Sequence, residues 1–341
     1  MSILAEIDEG DLISPNLLDE IINNAIENGV EIFSIKASLQ DHLIQDFGGV
    51  CKVKNSGDEL KYTLQFEWPE EFNDEEKIEK EKSRLRDTFI RAGIAKHSNL
   101  PHIMKRLREH DDVIIGLDSN ILLDCAVTSV LIDEIYAEKF PNWILFAIPK
   151  IAMAEIENKA NQKVTGPSDH PRLGWPGYNG RIGQRALQEI LELDKKNPDR
   201  PGLSIMTIGE LEDPETVKSE DDWWKDSEIR AQFQKFLRNI SFHKGTYFLS
   251  QDRVNVMMSG AEGAEGLYLQ KPNLDEFESG KILKGTFRSL LYELCIQFGS
   301  IKVNAVGGSN PSFQLSIFWP GKHVSDWRES KLKVGNFEQE K

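Results

Sequence analysis

Four short, continuous apolar runs lie in the middle of the chain, at 112–118, 143–149, 203–208 and 246–250. Runs of this length without polar alternation are typical of central parallel strands that are covered on both faces. Helical patterns separate them, and one of these patterns spans 226–239. Strands that alternate with helices in this way predict an α/β domain built on a central parallel sheet.

The N-terminal region has a different pattern. Ser14 and Pro15 precede apolar residues at helical spacing that end at Gly29, which predicts a helix. Polar and apolar residues alternate over 61–68 (KYTLQFEW), and Pro69 follows, which predicts a half-buried strand. The same reasoning predicts further helices around 36–47, over much of 74–92, and from Pro101 toward His110.

The two ends of the chain resemble each other. A shift of 251 residues aligns 29–69 with 280–320 without a gap and gives 10 identities in 41 positions. We expect two similar helix–strand–strand segments that pair into one α+β flanking domain, although two unrelated hairpins of similar composition would give a similar match. The expected regions are therefore 1–110, an inserted α/β domain at 111–271, and 272–341.

Four acidic residues adjoin these predicted strands and helices. Asp118 directly follows the first run, Glu155 lies six residues past the second, Asp226 starts a helical pattern, and Asp252 follows the last run. The carboxyl ends of parallel strands meet at one edge of a sheet, so we expect the four acids to converge. Converging carboxylates repel one another without a cation, and oxygen ligands favour Mg²⁺ or Mn²⁺. Such a cluster suits phosphodiester hydrolysis.

Each of the four acids also has a purely structural interpretation, as a helix cap or as a residue on a solvated face. The third position has two competitors, Asp221 and Asp222. We prefer Asp226 because Ile229, three residues further on, gives it a buried anchor.

The ordered motifs in 112–271 resemble those of the PIN-domain nucleases, a family of toxin ribonucleases and RNA-processing endonucleases. The matching motifs are LDSN at 117–120, Pro149 with AEI at 154–156, DSEIRA at 226–231, and LSQDR at 249–253. The resemblance covers 160 of 341 residues. The chain departs from compact family members in the long stretch between Glu155 and Asp226.

The resemblance implies a three-layer α/β/α domain and a role for each matched residue. Asp118, Glu155, Asp226 and Asp252 would hold Mg²⁺ or Mn²⁺. Asn120 and Ser250 would orient ligands or water. The implied activity is endoribonucleolytic cleavage that leaves 5′-phosphate and 3′-hydroxyl ends.

Charge is unevenly distributed, although the net charge of the chain is −15. The stretch 82–108 carries +7 and the stretch 209–228 carries −7. The basic stretch and a Gly/Pro-rich loop at 166–180 are therefore candidates for RNA contacts, with a solvated helix face and a packed lid as the alternatives. The candidate residues are Arg84, Arg86, Arg91, Lys105, Arg106, Arg108, Arg172, Trp175, Tyr178 and Arg181.

Several other classes of protein are disfavoured. No apolar run is long enough to cross a membrane, and the N-terminus lacks a signal-peptide pattern. Three widely spaced cysteines argue against a disulfide framework or a cysteine zinc site and favour a reducing, cytoplasmic location. The chain has no GxxxxGK[ST], HExxH or GxSxG motif.

The sequence therefore predicts a cytoplasmic, metal-dependent endoribonuclease that hydrolyses RNA at a four-carboxylate site. A catalytically silent RNA-binding or scaffold module and a DNA or flap nuclease are the main alternatives. A phosphatase of another α/β family is disfavoured because Asp118-Ser119-Asn120 lacks a second Asp. A homodimer and an inhibitory or regulatory protein partner remain open.

Overall fold

The structure is a computed structural model. It describes residues 11–38, 47–57, 59–69, 74–137, 143–165, 176–194, 202–211, 221–240, 245–307, 312–318 and 331–338. The strands are β1 (Leu12–Ile13), β2 (Ile32–Ser38), β3 (Phe47–Asn55), β4 (Leu60–Glu67), β5 (Asp112–Leu117), β6 (Trp143–Pro149), β7 (Leu203–Ile208), β8 (Gly245–Ser250), β9 (Glu265–Tyr268), β10 (Ser279–Ile282), β11 (Ser300–Val306), β12 (Ser312–Phe318) and β13 (Lys331–Glu338). The α-helices are α1 (Pro15–Glu27), α2 (Glu75–Arg91), α3 (Leu100–Leu107), α4 (Ser119–Leu123), α5 (Ile132–Ala137), α6 (Lys150–Ala160), α7 (Tyr178–Asp194), α8 (Asp222–Asn239), α9 (Arg253–Ala261) and α10 (Lys284–Phe298).

The chain divides into two compact units. The first unit consists of Met1–Ala95, Lys163–Arg181 and Asn273–Lys341, and the second consists of Lys96–Gln162 and Ile182–Pro272. The chain therefore leaves and re-enters the first unit more than once. The two ends of the chain belong to the same unit, and 163–181, which the sequence analysis assigns to the inserted domain, belongs with them.

The first unit contains an eight-stranded antiparallel sheet in the order β1-β13-β12-β11-β2-β3-β4-β10. Apolar positions of α1 and α10 are buried, and the rings of Phe33 in β2 and Phe287 in α10 lie 5.3 Å apart. Ser14 caps α1 through a hydrogen bond that its Oγ accepts from the Leu17 amide. Gly29 follows α1 with a φ of 90°, so this predicted helix and its stop are confirmed.

The second unit contains a five-stranded parallel sheet in the order β7-β6-β5-β8-β9. The chain moves outward from β5 to β7, and then returns to the other side of β5 to form β8 and β9. The strand order therefore reverses between β5 and β8, and ligands of open α/β sheets bind at the carboxyl ends of strands at such a point. The predicted α/β class and its parallel sheet are confirmed, and the four apolar runs form β5 to β8.

Helix α8 packs on this sheet through its apolar face. Ile229 and Phe233 of α8 belong to the same buried cluster as Ile114 of β5 and Phe248 of β8. A Cβ atom at Gly116 would lie 2.8 Å from the Phe233 ring, so only glycine permits this close approach. Ile229 is fully buried, as the preference for Asp226 requires.

The predicted helix around 36–47 is wrong in its described part. Residues 32–38 form strand β2, and 39–46 lie outside the described residues. Within the described residues, the second segment shows the expected helix–strand–strand pattern, because α10 precedes β11 and β12. Both segments supply a hairpin to the same sheet, but the pairing differs by one residue: Val53 pairs with Tyr62, whereas the aligned Asn304 pairs with Ser312.

Within the described part of the chain, no helix is both long and apolar enough to cross a membrane.

Candidate carboxylate site

Asp118 lies where β5 ends beside β8. Its amide donates a hydrogen bond to the Leu249 carbonyl of β8 at 3.1 Å. Its side chain caps α4, because Oδ1 accepts a hydrogen bond from the Ser119 amide at 2.7 Å. The other oxygen, Oδ2, accepts a hydrogen bond from Ser250 Oγ at 2.5 Å. The structure thus joins Asp118 and Ser250, which the sequence separates by 132 positions.

Asn120 completes this contact between the two strand ends. Its Nδ2 lies 2.9 Å from Asp118 Oδ2 and 3.3 Å from Ser250 Oγ. Its Oδ1 accepts a hydrogen bond from the Gln251 amide at 3.1 Å. Asn120 and Ser250 therefore contact Asp118 directly, in positions that fix the orientation of its carboxylate.

Asp252 lies immediately beyond β8 and begins α9. Its amide donates to Ser250 Oγ at 2.8 Å, and its Oδ1 accepts a hydrogen bond from the Val254 amide at 2.6 Å. Asp252 is therefore a helix cap, which was the structural alternative for this position. The capping bonds to Oδ1 do not involve its second oxygen, Oδ2.

Burial governs the electrostatics of Asp118. Its side chain is almost completely buried, and this raises its pKa to about 6 because burial disfavours the charged form. The hydrogen bonds from Ser250 and Asn255 lower the pKa, whereas the charges of Asp226 and Glu155 raise it. The structure thus places Asp226 and Glu155 close enough to Asp118 for their charges to act on it.

Asp226 is half-buried on α8, and its pKa is also raised. Burial is the main cause, and the charges of Asp252 and Glu155 add to it. A side-chain hydrogen bond with Asn255 and the positive charge of Arg230 act in the opposite direction. Together with the effects on Asp118, these interactions link all four predicted acids electrostatically in one unit.

Asn255 is a site residue that the sequence interpretation missed. It is buried in the first turns of α9, and its Nδ2 donates to Asp118 Oδ2 at 3.1 Å while its side chain also bonds to Asp226. Its Oδ1 accepts a hydrogen bond from Arg230 Nη1. Helical spacing was the available signal, because Asn255 lies three residues after Asp252 and Arg230 lies four after Asp226.

The donor set fits a hard divalent cation in its chemistry. All four acids offer oxygen ligands, and the charges of Glu155, Asp226 and Asp252 help to raise the pKa of Asp118 or Asp226, which a cation would relieve. Glu155 already pairs with Lys159 Nζ at 2.8 Å. Among the described residues, no three His, Cys, Asp or Glu side chains are arranged to hold a metal ion as they stand.

The three acids that competed for the third position have different surroundings. Asp221 is exposed and caps α8, because its Oδ1 accepts a hydrogen bond from the Trp224 amide at 2.7 Å. The Asp222 side chain lies outside the described part. Asp226 is the acid whose charge acts on Asp118. The neighbouring tryptophans also differ: Trp224 packs against the buried cluster, whereas Trp223 is 72% exposed.

The residues proposed to contact RNA are divided between the two units. The first unit contains Arg84, Arg86, Arg91, Tyr178 and Arg181, and the second contains Lys105, Arg106 and Arg108. The basic stretch 82–108 therefore does not form one element of one unit. Helix α2 carries its first part, and α3 carries its last part.

Two of the first-unit candidates contact each other. The buried Arg84 guanidinium lies over the Tyr178 ring at 4.2 Å, and its Nη1 lies 3.2 Å from Glu81 Oε1. Arg181 is buried and donates to three main-chain carbonyls, two of them in the last turn of α10: Ile296 at 2.6 Å and Gln297 at 3.2 Å. Arg181 thus caps the end of α10, and its guanidinium is not a candidate for RNA contacts.

The remaining candidates outside the second unit are only partly described. Arg91 is buried, and Arg86 is half-buried with its Nη2 donating to Ser83 Oγ at 2.8 Å. Arg172 and Trp175 lie outside the described residues.

In the second unit, Arg106 is held by two carboxylates. Its Nε and Nη2 donate to Glu265 at 2.8 and 2.6 Å, and its Nη1 donates to Glu109 at 2.8 and 2.7 Å. Lys105 and Arg108 are exposed on and after α3. These two residues are therefore the accessible cations of the predicted set in this unit.

Comparison with known proteins identifies no family. No family model matches the chain, and no curated protein matches it. One solved structure, a domain of a functionally unknown protein from Methanocaldococcus jannaschii DSM 2661, matches with a TM-score of 0.34 and 18% sequence identity. The match covers 48% of this chain and 94% of that one.

Proposed function

We propose that the second unit is a PIN-like, metal-dependent nuclease that hydrolyses RNA. The observation that carries this proposal is that Ser250 is hydrogen-bonded to both Asp118 and Asp252. These bonds lie at the carboxyl ends of β5 and β8, where the strand order reverses. Asp226 and Glu155 act on this position through their charges. A concentration of carboxylates at a ligand-binding edge is the arrangement that the motifs predict.

Asp118, Glu155, Asp226 and Asp252 would hold the cation, Mg²⁺ or Mn²⁺. When bound, a divalent cation activates water and offsets the negative charge that develops on the phosphate. The side chains must move closer together to bind it, since no three are arranged to do so as they stand. Asn120 and Ser250 fix Asp118 Oδ2, so Oδ1 is the oxygen that keeps capacity for a ligand.

The surroundings of the acids favour single-stranded RNA as the substrate. Trp223 is exposed three residues before Asp226 on α8, and an exposed indole can stack on an unpaired base. RNA binding by the second unit does not depend on Arg84, Tyr178 or Arg181, whose side chains make contacts within the first unit.

The decisive test compares cleavage of labelled single-stranded and structured RNAs by wild type and Asp252→Asn, each with Mn²⁺ and with EDTA. Asn is as good a helix cap as Asp, so this variant removes the charge and preserves the start of α9. Asp74→Asn is the matched control, because Asp74 caps α2 in the first unit through the Glu76 amide. We expect metal-dependent cleavage by wild type and the control, and its loss in Asp252→Asn.

Other outcomes distinguish the alternatives. Cleavage that survives in Asp252→Asn or in EDTA would contradict the proposed site. RNA that is retained in a gel shift and never cut would indicate the silent binding module. Preferential cleavage of DNA or flap substrates added to the panel would indicate the other nuclease class.

A further inference from the structure

An exposed arginine directly follows the last acid of the proposed site. Arg253 is the first residue of α9, the helix that Asp252 caps. Its guanidinium lies over the Tyr268 ring, 5.0 Å from the ring centroid. The negative face of an aromatic ring attracts a guanidinium, and stacking on the ring orients its planar group. Arg253 is therefore a cation that is oriented and still accessible to a ligand.

The ring that supports this arginine lies at the same edge of the sheet as the acids. Tyr268 ends β9 and pairs with Ser250, the last residue of β8. The Tyr268 carbonyl accepts a 2.6 Å hydrogen bond from Asn99 Nδ2, and the Leu269 amide donates to the Ser250 carbonyl at 2.9 Å. Because β8 and β9 are parallel, their carboxyl ends lie side by side. Tyr268 is thus fixed beside the serine that contacts Asp118.

Two other arginines of this unit are occupied in ways that Arg253 is not. Arg106 is held by two carboxylates, and Arg230 is buried. None of the ion pairs among the described residues of this unit uses Arg253. The Tyr268 ring covers one face of the guanidinium, whereas the N–H donors lie in its plane and remain able to bind. A guanidinium with a free edge binds a phosphate group through two parallel hydrogen bonds.

We infer that Arg253, stacked on Tyr268, binds a backbone phosphate of the RNA strand beside the acids. The inference rests on the proposed function, in which Asp252 is a metal ligand. Consecutive Cα atoms are only about 3.8 Å apart, so the cation and the acid come from neighbouring points of the chain. Strand β9 lies on the side of β8 opposite β5, so this phosphate lies on the β9 side of Asp118.

Such a contact positions the strand and does not read its sequence. Phosphate contacts fix the register and orientation of a nucleic acid, and base contacts supply the specificity. Arg253 would therefore hold single-stranded RNA of any sequence with one phosphate beside the proposed site. The sequence analysis includes Arg253 in the LSQDR motif but not among the residues predicted to contact RNA.

The test measures the Kd of a short labelled single-stranded RNA at several salt concentrations, in the Asp252→Asn background to prevent cleavage. Arg253→Met should raise the Kd at least about 10-fold, as expected for a lost hydrogen bond between charged groups. The slope of log Kd against log salt concentration should fall by about 0.7, the contribution of one phosphate contact to a single strand. Arg253→Lys should keep the slope because it keeps the charge, and should lose affinity because it lacks the paired donors.

Two further sets of variants separate the phosphate contact from general effects. Arg238→Met is the matched control, because Arg238 is an exposed arginine in the last turn of α8 in the same unit. It should change neither the Kd nor the slope. Tyr268→Phe should keep the affinity because the ring remains, whereas Tyr268→Leu should weaken binding. Circular dichroism checks that each variant is folded.

The outcomes distinguish this inference from the proposed function. An unchanged Kd and slope in folded Arg253→Met would overturn the inference, and metal-dependent cleavage by wild type would still support the nuclease. An equal loss of slope in Arg238→Met would overturn it too, because any exposed arginine would then contribute. RNA that is bound through Arg253 but never cut by wild type would support the phosphate contact and overturn the nuclease. No RNA binding by Asp252→Asn, or by wild type in EDTA, would overturn the inference.

Discussion

Ser250 Oγ donates a 2.5 Å hydrogen bond to Asp118 Oδ2, and this bond joins the carboxyl ends of two neighbouring parallel strands. Both side chains are buried. The same hydroxyl accepts a hydrogen bond from the Asp252 amide, so Ser250 connects two of the proposed metal ligands. Ser250 therefore sets the geometry of the site from within the strand end.

Replacement of Ser250 by Ala should raise the pKa of Asp118 above about 6. The hydrogen bond from Ser250 favours the charged carboxylate, so its loss favours the protonated form. The variant should also lose roughly 1–3 kcal/mol of stability, as is usual when a buried group loses its hydrogen-bond partner. A ¹³C NMR titration of the aspartate carboxyls in EDTA measures the pKa. Ser259→Ala is the control, because buried Ser259 on α9 donates to the Val256 carbonyl and does not contact Asp118. An unchanged Asp118 pKa would contradict this role of Ser250.

Asp226→Asn and Asp221→Asn should show which of these two acids is a metal ligand and which only caps α8. Asp226→Asn should lower the pKa of Asp118, because the Asp226 charge raises it, and should reduce RNA cleavage. Changes in residues that only orient ligands cost 10–100-fold, so loss of a ligand should cost on the order of 100-fold or more in kcat/KM. Asp221→Asn should leave both quantities unchanged, because Asn also caps helices well. The reverse result would make Asp221 the third acid.

The positions of Asp118 and Asp252 could be predicted from the sequence because strand ends are readable from it. A continuous apolar run that ends in Asp118, or in Ser250 and then Asp252, is a local pattern. In a parallel sheet it places these residues at the carboxyl edge, where ligands bind. The contact between Arg230 and Asn255 has no such signal. It depends on the packing of α8 against α9, which brings together residues 25 positions apart.

The residues predicted to contact RNA could not be identified reliably from the sequence. Basic residues in a helical stretch give the same composition whether they face solvent or are buried within the fold. Arg84 stacks on Tyr178, and Arg181 caps α10, so their charges are used within the first unit. The sequence analysis predicts a helix around 36–47, whereas residues 32–38 form strand β2. Tertiary pairing with β11 and β3 determines that segment.

Glu189 should make the stability of the protein depend on pH. It is fully buried in α7, and burial raises its pKa from 4.5 to about 7, although hydrogen bonds from the Thr128 amide and hydroxyl lower it. The folded protein therefore binds a proton more tightly than the unfolded chain between these values. The free energy of unfolding should fall as the pH rises from about 4.5 to about 7 and then level off.

Glu189→Gln should remove this part of the pH dependence, because the amide does not ionise. The measurement is urea unfolding of wild type and variant in EDTA at several pH values between 4.5 and 8. Glu157→Gln is the control, since Glu157 is an exposed residue of α6 in the same unit. Equal slopes for wild type and Glu189→Gln would show that Glu189 does not titrate in this window.

Arg181→Met should destabilise the protein and leave RNA binding unchanged. The variant removes three hydrogen bonds to main-chain carbonyls and leaves buried acceptors unpaired, so the expected loss is roughly 1–3 kcal/mol. Arg288→Met on α10 is the control, because Arg288 forms a partly exposed pair with Asp19 worth at most about 1 kcal/mol. Urea unfolding and RNA affinity are measured together. Normal stability with weakened RNA binding would return Arg181 to the RNA-contacting set.

Trp223→Ala should weaken the binding of single-stranded RNA without affecting the fold. Trp223 is 72% exposed, so its removal leaves no cavity, whereas Trp224 packs on the buried cluster and is not interchangeable with it. Stacking on one base contributes about 1–3 kcal/mol, which corresponds to a rise in Kd of roughly 5- to 150-fold. Fluorescence anisotropy with a short labelled RNA, in the Asp252→Asn background to prevent cleavage, measures this change. Trp223→Phe should keep most of the affinity because it retains an aromatic face, and Met206→Ala, which removes another exposed apolar side chain of this unit, should keep all of it. An unchanged Kd for Trp223→Ala would place the RNA path elsewhere, and would leave the indole as a contact for a protein partner.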